Sequence, residues 1–301
     1  VIDNSNVILL KGKFALDRFN SCLKYYSNGT EKNSPLDTIF LTYGPSVSTL
    51  SQIHSSYEIC KQLMDRRFFC SENQHVLSYE MLPSTPEQML SLTPEAANAY
   101  SERLMNYIQS FNRKMISHEL ETLRDELFHC LDNVMSMKHF LADIFLQIKQ
   151  MTLHLFPNAD IPFAHNSAII ELIENKYYLY EILLYFSEQF DMIIRAIGNN
   201  SSESVFDDIL FYINHNYQKP LKLETLAPLF GYNSSYLGKL FSQKTGLSFN
   251  SYLDEIRITE ASKLLIDTSM KVYEISAQVG YKNVDYFHQK FKKLKNVSPA
   301  E

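Results

Sequence analysis

Glycine and proline are scarce, at 8 and 10 of 301 residues. So few turn-forming residues favour long helices over a strand-and-turn architecture. No run of eighteen apolar residues occurs, so no membrane-spanning helix is expected. No signal peptide opens the chain and its first residue is not methionine. A processed start or a piece of something longer is therefore expected. The four cysteines, Cys22, Cys60, Cys70 and Cys130, lack paired metal-type spacing. A disulfide framework is not expected, and a reducing cytoplasm fits them best. The nine histidines form neither HxxxH nor HExxH, so no metal and no cofactor is expected. His129, beside Cys130 in a helical run, reads as packing. A phosphate-cradling glycine loop, a nucleophile elbow and a clustered acid pair are all missing, which points away from an enzyme.

What is present is a globular composition, 45% hydrophobic and 21% charged, long enough for two or three domains. Net charge is −6, which excludes a chain that is basic throughout. The distribution is uneven. From Val205 to Glu301 twelve Lys/Arg face ten Asp/Glu, giving +2, so the rest carries −8. Lys282–Lys295 holds five lysines and one acid, Asp285. A local basic patch on an acidic protein suits an end that contacts DNA, although a solvated lysine face would look the same.

Residues 1–83 read as a partial α/β domain. "NVILL", "DTIFLTYG" and "HVLSYEML" are short apolar runs typical of strands, and "FALDRFNSCLKYY" and "LSQIHSSYEICKQLMDRRFF" have helical spacing between them. "PSTPEQMLSLTPEA" marks a boundary, and residues 84–200 read as a helical middle region. There Ile116, Leu120, Leu123, Leu127, Leu131 and Val134 form one apolar stripe. It serves either as core or as a homodimer seam through residues 111–134. A helix from about Lys138 is stopped by Pro157, and a single long helix is expected over Ile169–Ile197. "GNNSSES" marks the second boundary and residues 201–301 the third region.

That third region repeats itself. "FGYNSSYLGKLF" at Phe230–Phe241 is echoed about fifty residues on by "VGYKNVDYFHQKF" at Val279–Phe291. Each copy opens with a short apolar-periodic helix, "LETLAPLF" or "VYEISAQV", followed by Gly231 or Gly280 for a left-handed turn. An N-cap comes next, at Asn233–Ser235 in one copy and Asn283 in the other. A second helix then carries Tyr236, Leu237, Leu240 and Phe241, or Tyr286, Phe287 and Phe291, on one face. Two helices joined by a glycine turn are the helix-turn-helix motif, whose second helix can enter the major groove. "SFNSYLDEIRITEASKLLID" reads as a rigid helix joining the copies. One subunit would then present two reading heads to segments about 34–36 Å apart. The fold expected is mainly α: a C-terminal all-α tandem helix-turn-helix domain, a helical middle and a small partial α/β domain in front.

The string "YLDEIRITEASKLLIDTSMKVYEISAQVGYKNVDYFHQKFKKLKNVSP" resembles the signature of the AraC/XylS family of transcription regulators. The match includes Arg257, Ile275, Ala277, Gly280-Tyr281, Tyr286-Phe287, Phe291-Lys292-Lys293 and Ser298-Pro299. "KVYEIS" and "YINHNYQKPLKLETLA" are most similar to YesN-type members. More weakly, the first eighty residues resemble part of a degenerate GGDEF-like domain, without its signature loop. The resemblance implies a sequence-specific DNA-binding regulator in a two-component or sensor-linked system. It also implies double-stranded DNA and RNA polymerase as partners, and a missing receiver or sensor upstream. Three departures stand out. Gly238 replaces a long polar side chain, Asn296 replaces a glycine but tolerates the left-handed conformation, and the chain ends at Glu301 before the usual closing helix.

The outward positions of the two second helices are the candidate base readers: Ser234, Ser235, Gly238, Lys239 and Gln243 in the first copy, Asp285, His288 and Gln289 in the second. Gln289 can hold adenine bidentately, Lys239 can donate to guanine and Asp285 can accept from cytosine N4. A plain exposed position competes with base contact for Gln289 and Lys239, and Asp285 also reads as an acid favoured by the helix dipole. Lys244, Lys290, Lys292, Lys293 and Lys295 are candidate phosphate donors, which set register but not sequence. Tyr236, Tyr286, Phe241 and Phe291 read as core. The competing function is a signalling or scaffold module acting through the helical middle.

Overall fold

Helix dominates because little in the chain interrupts it. The computed structural model describes residues 6–27, 39–71, 74–82, 90–130, 132–198 and 205–299. The fold is mainly α, as expected. By contacts the chain forms two compact units. One comprises Val1–Ala97, Glu121–Asp143 and Ala164–Phe186; the other comprises Asn98–Leu120, Ile144–Phe163 and Ser187–Glu301.

The first unit carries α1 (Lys13–Ser27), β1 (Leu41–Tyr43), α2 (Ile53–Arg66) and β2 (Val76–Ser78). The two strands pair in parallel, Leu41 opposite Val76, with α2 as the crossover. Leu63 of α2, Cys70 and Leu77 form its small core, with Phe40 and Ile59 packed against them. Burial pushes the Cys70 thiol up to about 11, so it stays a neutral packing group. None of the four cysteines is joined in a disulfide. Beyond α2, the Arg67 guanidinium lies over the rings of Tyr177, Phe40 and Tyr178, 4.5 to 5.0 Å from each centroid.

The expected strand over "NVILL" does not form. Residues 6–10 are irregular, and Val7, Ile8 and Leu9 stay exposed. No strand among the described residues pairs with them, and a lone strand has no partner for its backbone hydrogen bonds. Asp37 and Thr38 of the second expected strand lie outside the described residues, as do residues 83–89 and 199–204 of the two boundary segments.

The helical stretch contains α3 (Pro94–Gln109), α4 (Arg113–Phe128), α5 (Val134–Leu155), α6 (Asn166–Asn175) and α7 (Leu179–Ile197). Ile116, Leu120, Leu123 and Leu127 are all buried within the chain, so this stripe is core and does not offer a free seam to a second subunit. Leu131 lies outside the described residues, and Val134 already belongs to α5. α4 stops because its last turn tightens: His129 and Cys130 donate to the carbonyls three residues back. The single long helix expected over Ile169–Ile197 is two. Lys176 turns to an extended backbone, and the Glu181 carboxylate accepts from the Tyr178 backbone N–H at 3.2 Å, starting α7 afresh. The sequence carries no glycine or proline at that break.

In the second unit follow α8 (Val205–Asn216), α9 (Leu223–Leu226), α10 (Ser234–Thr245), α11 (Phe249–Asp267), α12 (Val272–Gln278) and α13 (Val284–Lys295). Pro228 tightens α9 into a 3-10 turn over Ala227–Phe230. Two cores result. Phe206, Ile209, Ile213, Leu237, Phe241, Phe249 and Leu253 build the first. Ile258, Ala261, Ile275, Val279, Tyr281, Phe287 and Phe291 build the second. α11 is the shared wall, giving its first half to one core and its second half to the other.

The segment Asn98–Leu120 of the same unit buttresses α8 and the first core. The Asn112 side-chain amide donates to the Leu229 carbonyl at 2.6 Å, and the Tyr212 hydroxyl donates to Asn106 Oδ1 at 3.0 Å. The buried Asn216 amide bonds Gln109. Burial pushes the Tyr212 phenol up to about 12. The folded state holds the neutral form, so this group's contribution is complete below its ordinary value near pH 10. It is lost as pH rises towards about 12, costing about 3 kcal/mol over that window. Urea melts of Tyr212→Phe should show a correspondingly smaller alkaline loss than the parent. An equal loss in both would place the alkaline sensitivity elsewhere.

Candidate nucleic-acid interface

Both copies are built on the same local rules. Gly231 (φ 73°) and Gly280 (φ 95°) make the left-handed turn between the paired helices. Asn233 then caps α10 by accepting from the Tyr236 backbone N–H at 2.8 Å, and Asn283 caps α13 by accepting from Tyr286 N–H at 2.9 Å. Leu237 and Phe241 point into the first core, Phe287 and Phe291 into the second, all buried. A spacing of four on a helix puts each pair on one face, which fixes the opposite face outward. Each second helix ends left-handed, at Gly246 (φ 74°) and at Asn296 (φ 62°). Asn296 thus fills the glycine's role, as expected. The joining helix α11 starts on the Ser248 hydroxyl, which accepts from Ser251 N–H at 3.2 Å.

On the outward face of α10, Ser235, Lys239 and Gln243 are exposed, and Ser234 and Gly238 are half-buried at its flank. A Cβ on Gly238 would lie 3.3 Å from Leu223 Cδ1, so the backbone here already approaches α9. Lys244 is exposed in the last turn. On α13, Asp285 and Gln289 are exposed, and His288 is half-buried with its ring 6.0 Å from Phe287. Lys292, Lys293 and Lys295 are exposed at the C-terminal end. Lys290 is different. It is half-buried and its ammonium lies 2.8 Å from Asp254 Oδ2 on α11. Hydrogen bonds to Asp254 and to Tyr286 hold that ammonium above its usual range.

Tyr236 and Tyr286 were expected in the core, and both are about half exposed. They stand one residue before Leu237 and Phe287, hence about 100° around the helix from the buried face. Tyr236 leans on Tyr232 at 5.2 Å between centroids and Tyr286 on Tyr281 at 6.0 Å. The sequence did hold the signal: the Leu237/Phe241 and Phe287/Phe291 pairs already occupy the inward face. Exposed Ser242 also lies on α10, with its hydroxyl turned back to the Gly238 carbonyl.

Chemically the two faces offer side-chain amide, ammonium and hydroxyl groups along α10 and α13, and exposed lysines at the end of α13. That is the equipment for base edges and phosphates. Among the described residues no cluster of His, Cys, Asp or Glu gathers as a metal site, and no helix is long and apolar enough to cross a membrane.

A tandem helix-turn-helix fold is thus the class these elements define. Residues 226–301 match the family model described as "Helix-turn-helix domain". The chain is similar to the lactose operon transcription activator of Staphylococcus xylosus, 37% identical over 124 residues that cover 41% of this chain and 44% of that protein. It is similar to the HTH-type transcriptional regulator YdiP of Escherichia coli (strain K12), 34% identical over 142 residues covering 47% and 46%. Among solved structures, the C-terminal domain of the two-component response regulator yesN from Fusobacterium nucleatum is 34% identical. That match covers 32% of this chain and 93% of that one, with a TM-score of 0.31. The chain spans less than half the length of these two curated relatives. Its C-terminal region, residues 226–301, carries a helix-turn-helix domain.

Proposed function

We propose that this chain is a sequence-specific transcription regulator, the output part of a two-component or sensor-linked system. It reads two adjacent major-groove segments of double-stranded DNA with α10 and α13. One observation carries the reading. An offset of 50 residues takes Asn233 to Asn283, Leu237 to Phe287 and Phe241 to Phe291, so cap, buried pair and outward face recur together. Two such faces joined by one helix form a reader with two heads. Ser235, Lys239 and Gln243 read with the first, Asp285 and Gln289 with the second, and Ser234, Gly238 and His288 flank them. Lys244, Lys292, Lys293 and Lys295 supply phosphate contacts, which position the heads without carrying sequence.

The sequence-wide mechanism divides into separable terms. Gln289→Ala should relax selectivity at one base position by about 1–3 kcal/mol, roughly five- to 150-fold, and leave the other positions alone. Lys293→Ala should weaken all sequences alike and shallow the slope of log affinity against log salt by about 0.9. Fluorescence anisotropy on single-base variants of a selected duplex separates the two. If both variants bind like the parent, α13 is not the reading helix.

The parallel β1–α2–β2 unit supports reading residues 1–83 as a degenerate GGDEF-like domain, with residues 84–200 as a regulatory helical region and 201–301 as the DNA-binding domain. RNA polymerase is the further partner such a regulator would contact at a promoter, in the cytoplasm. The homodimer through residues 111–134 loses its motive, since the apolar face there is buried.

A further inference from the structure

We propose that Lys290 is a positioning residue that, tied to Asp254, locks the second head onto α11 and sets the spacing the two heads accept on DNA. This rests on the two-headed reading above. The 50-residue offset takes Leu240 to Lys290. Leu240 is partly buried and packs against the first core. Lys290 therefore stands where the other copy has a leucine, turned towards α11 rather than outward. Its partner is built for it. Asp254 is buried, and its two carboxylate oxygens are divided: Oδ2 faces the Lys290 ammonium at 2.8 Å and Oδ1 accepts from the Tyr281 hydroxyl at 2.8 Å. A buried carboxylate with one oxygen held by the turn before α13 and the other by α13 itself is directional in a way apolar packing is not.

The tie continues one helical turn along α11. Arg257, also buried, donates from Nε to the Tyr217 carbonyl and from Nη2 to the Lys219 carbonyl, both at 2.8 Å, and its guanidinium lies over the Tyr281 ring at 5.3 Å. The segment after α8, the joining helix and the second helix-turn-helix unit thus meet at one polar cluster. The Lys290 ammonium also lies over the Tyr286 ring at 5.1 Å, so the same lysine steadies the half-exposed tyrosine at the start of α13. Lys292, Lys293 and Lys295 on the same helix have no such tie: they are exposed. A lysine held in this way cannot move to a phosphate without leaving Asp254 buried beside an unfilled position.

The test uses the full chain and a panel of duplexes holding the two selected blocks at spacings stepped by one base pair, titrated at several salt concentrations. Two variants break the tie from opposite sides: Lys290→Met, which keeps the apolar stem, and Asp254→Asn, which lies on α11 away from the reading face. Melting curves confirm that each is folded at the assay temperature. In both, the preference for the best spacing over its neighbours should fall about tenfold, because a loosened joint no longer pre-sets the separation. Binding to a duplex with a single block should stay within about twofold, and the salt slope should match the parent. A salt slope shallower by about 0.9 in Lys290→Met, with spacing preference intact, would make Lys290 a phosphate contact and overturn the proposal. An unchanged spacing profile in Asp254→Asn would overturn it as well. A parent that binds no duplex overturns the two-headed reading itself and this proposal with it, whereas a parent that binds with variants unchanged sinks this proposal alone.

Discussion

Gly280→Ala should cost about 2–5 kcal/mol, while the matched Gly231→Ala should cost only about 1–2 kcal/mol. The two glycines occupy the same place in the repeat and both have positive φ. Each therefore carries the left-handed penalty on gaining a side chain, about 1–2 kcal/mol. Their surroundings differ. A Cβ at Gly231 would meet nothing within 4 Å. A Cβ at Gly280 would lie 2.5 Å from the Gln218 carbonyl oxygen, 2.9 Å from its carbon and 3.0 Å from Arg257 Nη2. Backbone cannot swing aside as a side chain does, so overpacking adds about 1–3 kcal/mol there. The push also lands on the carbonyl stretch that Arg257 holds. Urea melts of the two variants side by side measure the difference. Equal losses would mean that Gly280 is needed only for its turn, and that the second unit does not rest on the segment after α8.

Phe287→Ala should cost about 3–5 kcal/mol, the range for removing a buried aromatic ring. Phe287 is fully buried and sits 5.5 Å from Tyr281 and 5.7 Å from Phe291, centroid to centroid. The second core is small, with Ile258, Ala261, Ile275 and Val279 as its other members. Against a typical domain stability of about 5–15 kcal/mol, this loss can unfold the second helix-turn-helix outright. The first core shares none of those seven side chains. The expected result is therefore selective: a two-step melt, with the first helix-turn-helix persisting, and DNA selection that returns one block instead of two. A single cooperative loss of both blocks would show that the cores depend on each other through α11 more than their separate membership implies.

How far the chain could be read in advance varies along its length, for physical reasons. The repeat was legible because each of its elements is written in local chemistry: the glycine turns, the Asn233 and Asn283 caps, the four-residue aromatic spacing and the Asn296 turn all sit within a few residues of their effect. The strands at Leu41–Tyr43 and Val76–Ser78 were legible from apolar runs, yet "NVILL" has the same pattern and forms no strand, because pairing depends on a partner that composition does not reveal. The break at Lys176 was hidden, since an extended residue and a Glu181 cap need neither glycine nor proline. In the site, the exposed lysines and Gln289 follow directly from the buried pairs. Tyr236 and Tyr286 stay half exposed because helical phase, not aromatic character, decides which side of α10 and α13 faces inward. Lys290 looked like its neighbours, and only the position of Asp254, which precedes it by 36 residues on another helix, distinguishes it.

Selection of random duplex DNA on the full chain, with the winners titrated by anisotropy across salt concentrations, tests the two-headed reading most directly. Winners should share two short blocks about ten base pairs apart, and affinity should fall steeply as salt rises. Failure of any sequence to enrich at low salt, or enrichment of one block only with a flat salt response, would contradict a reader built from α10 and α13.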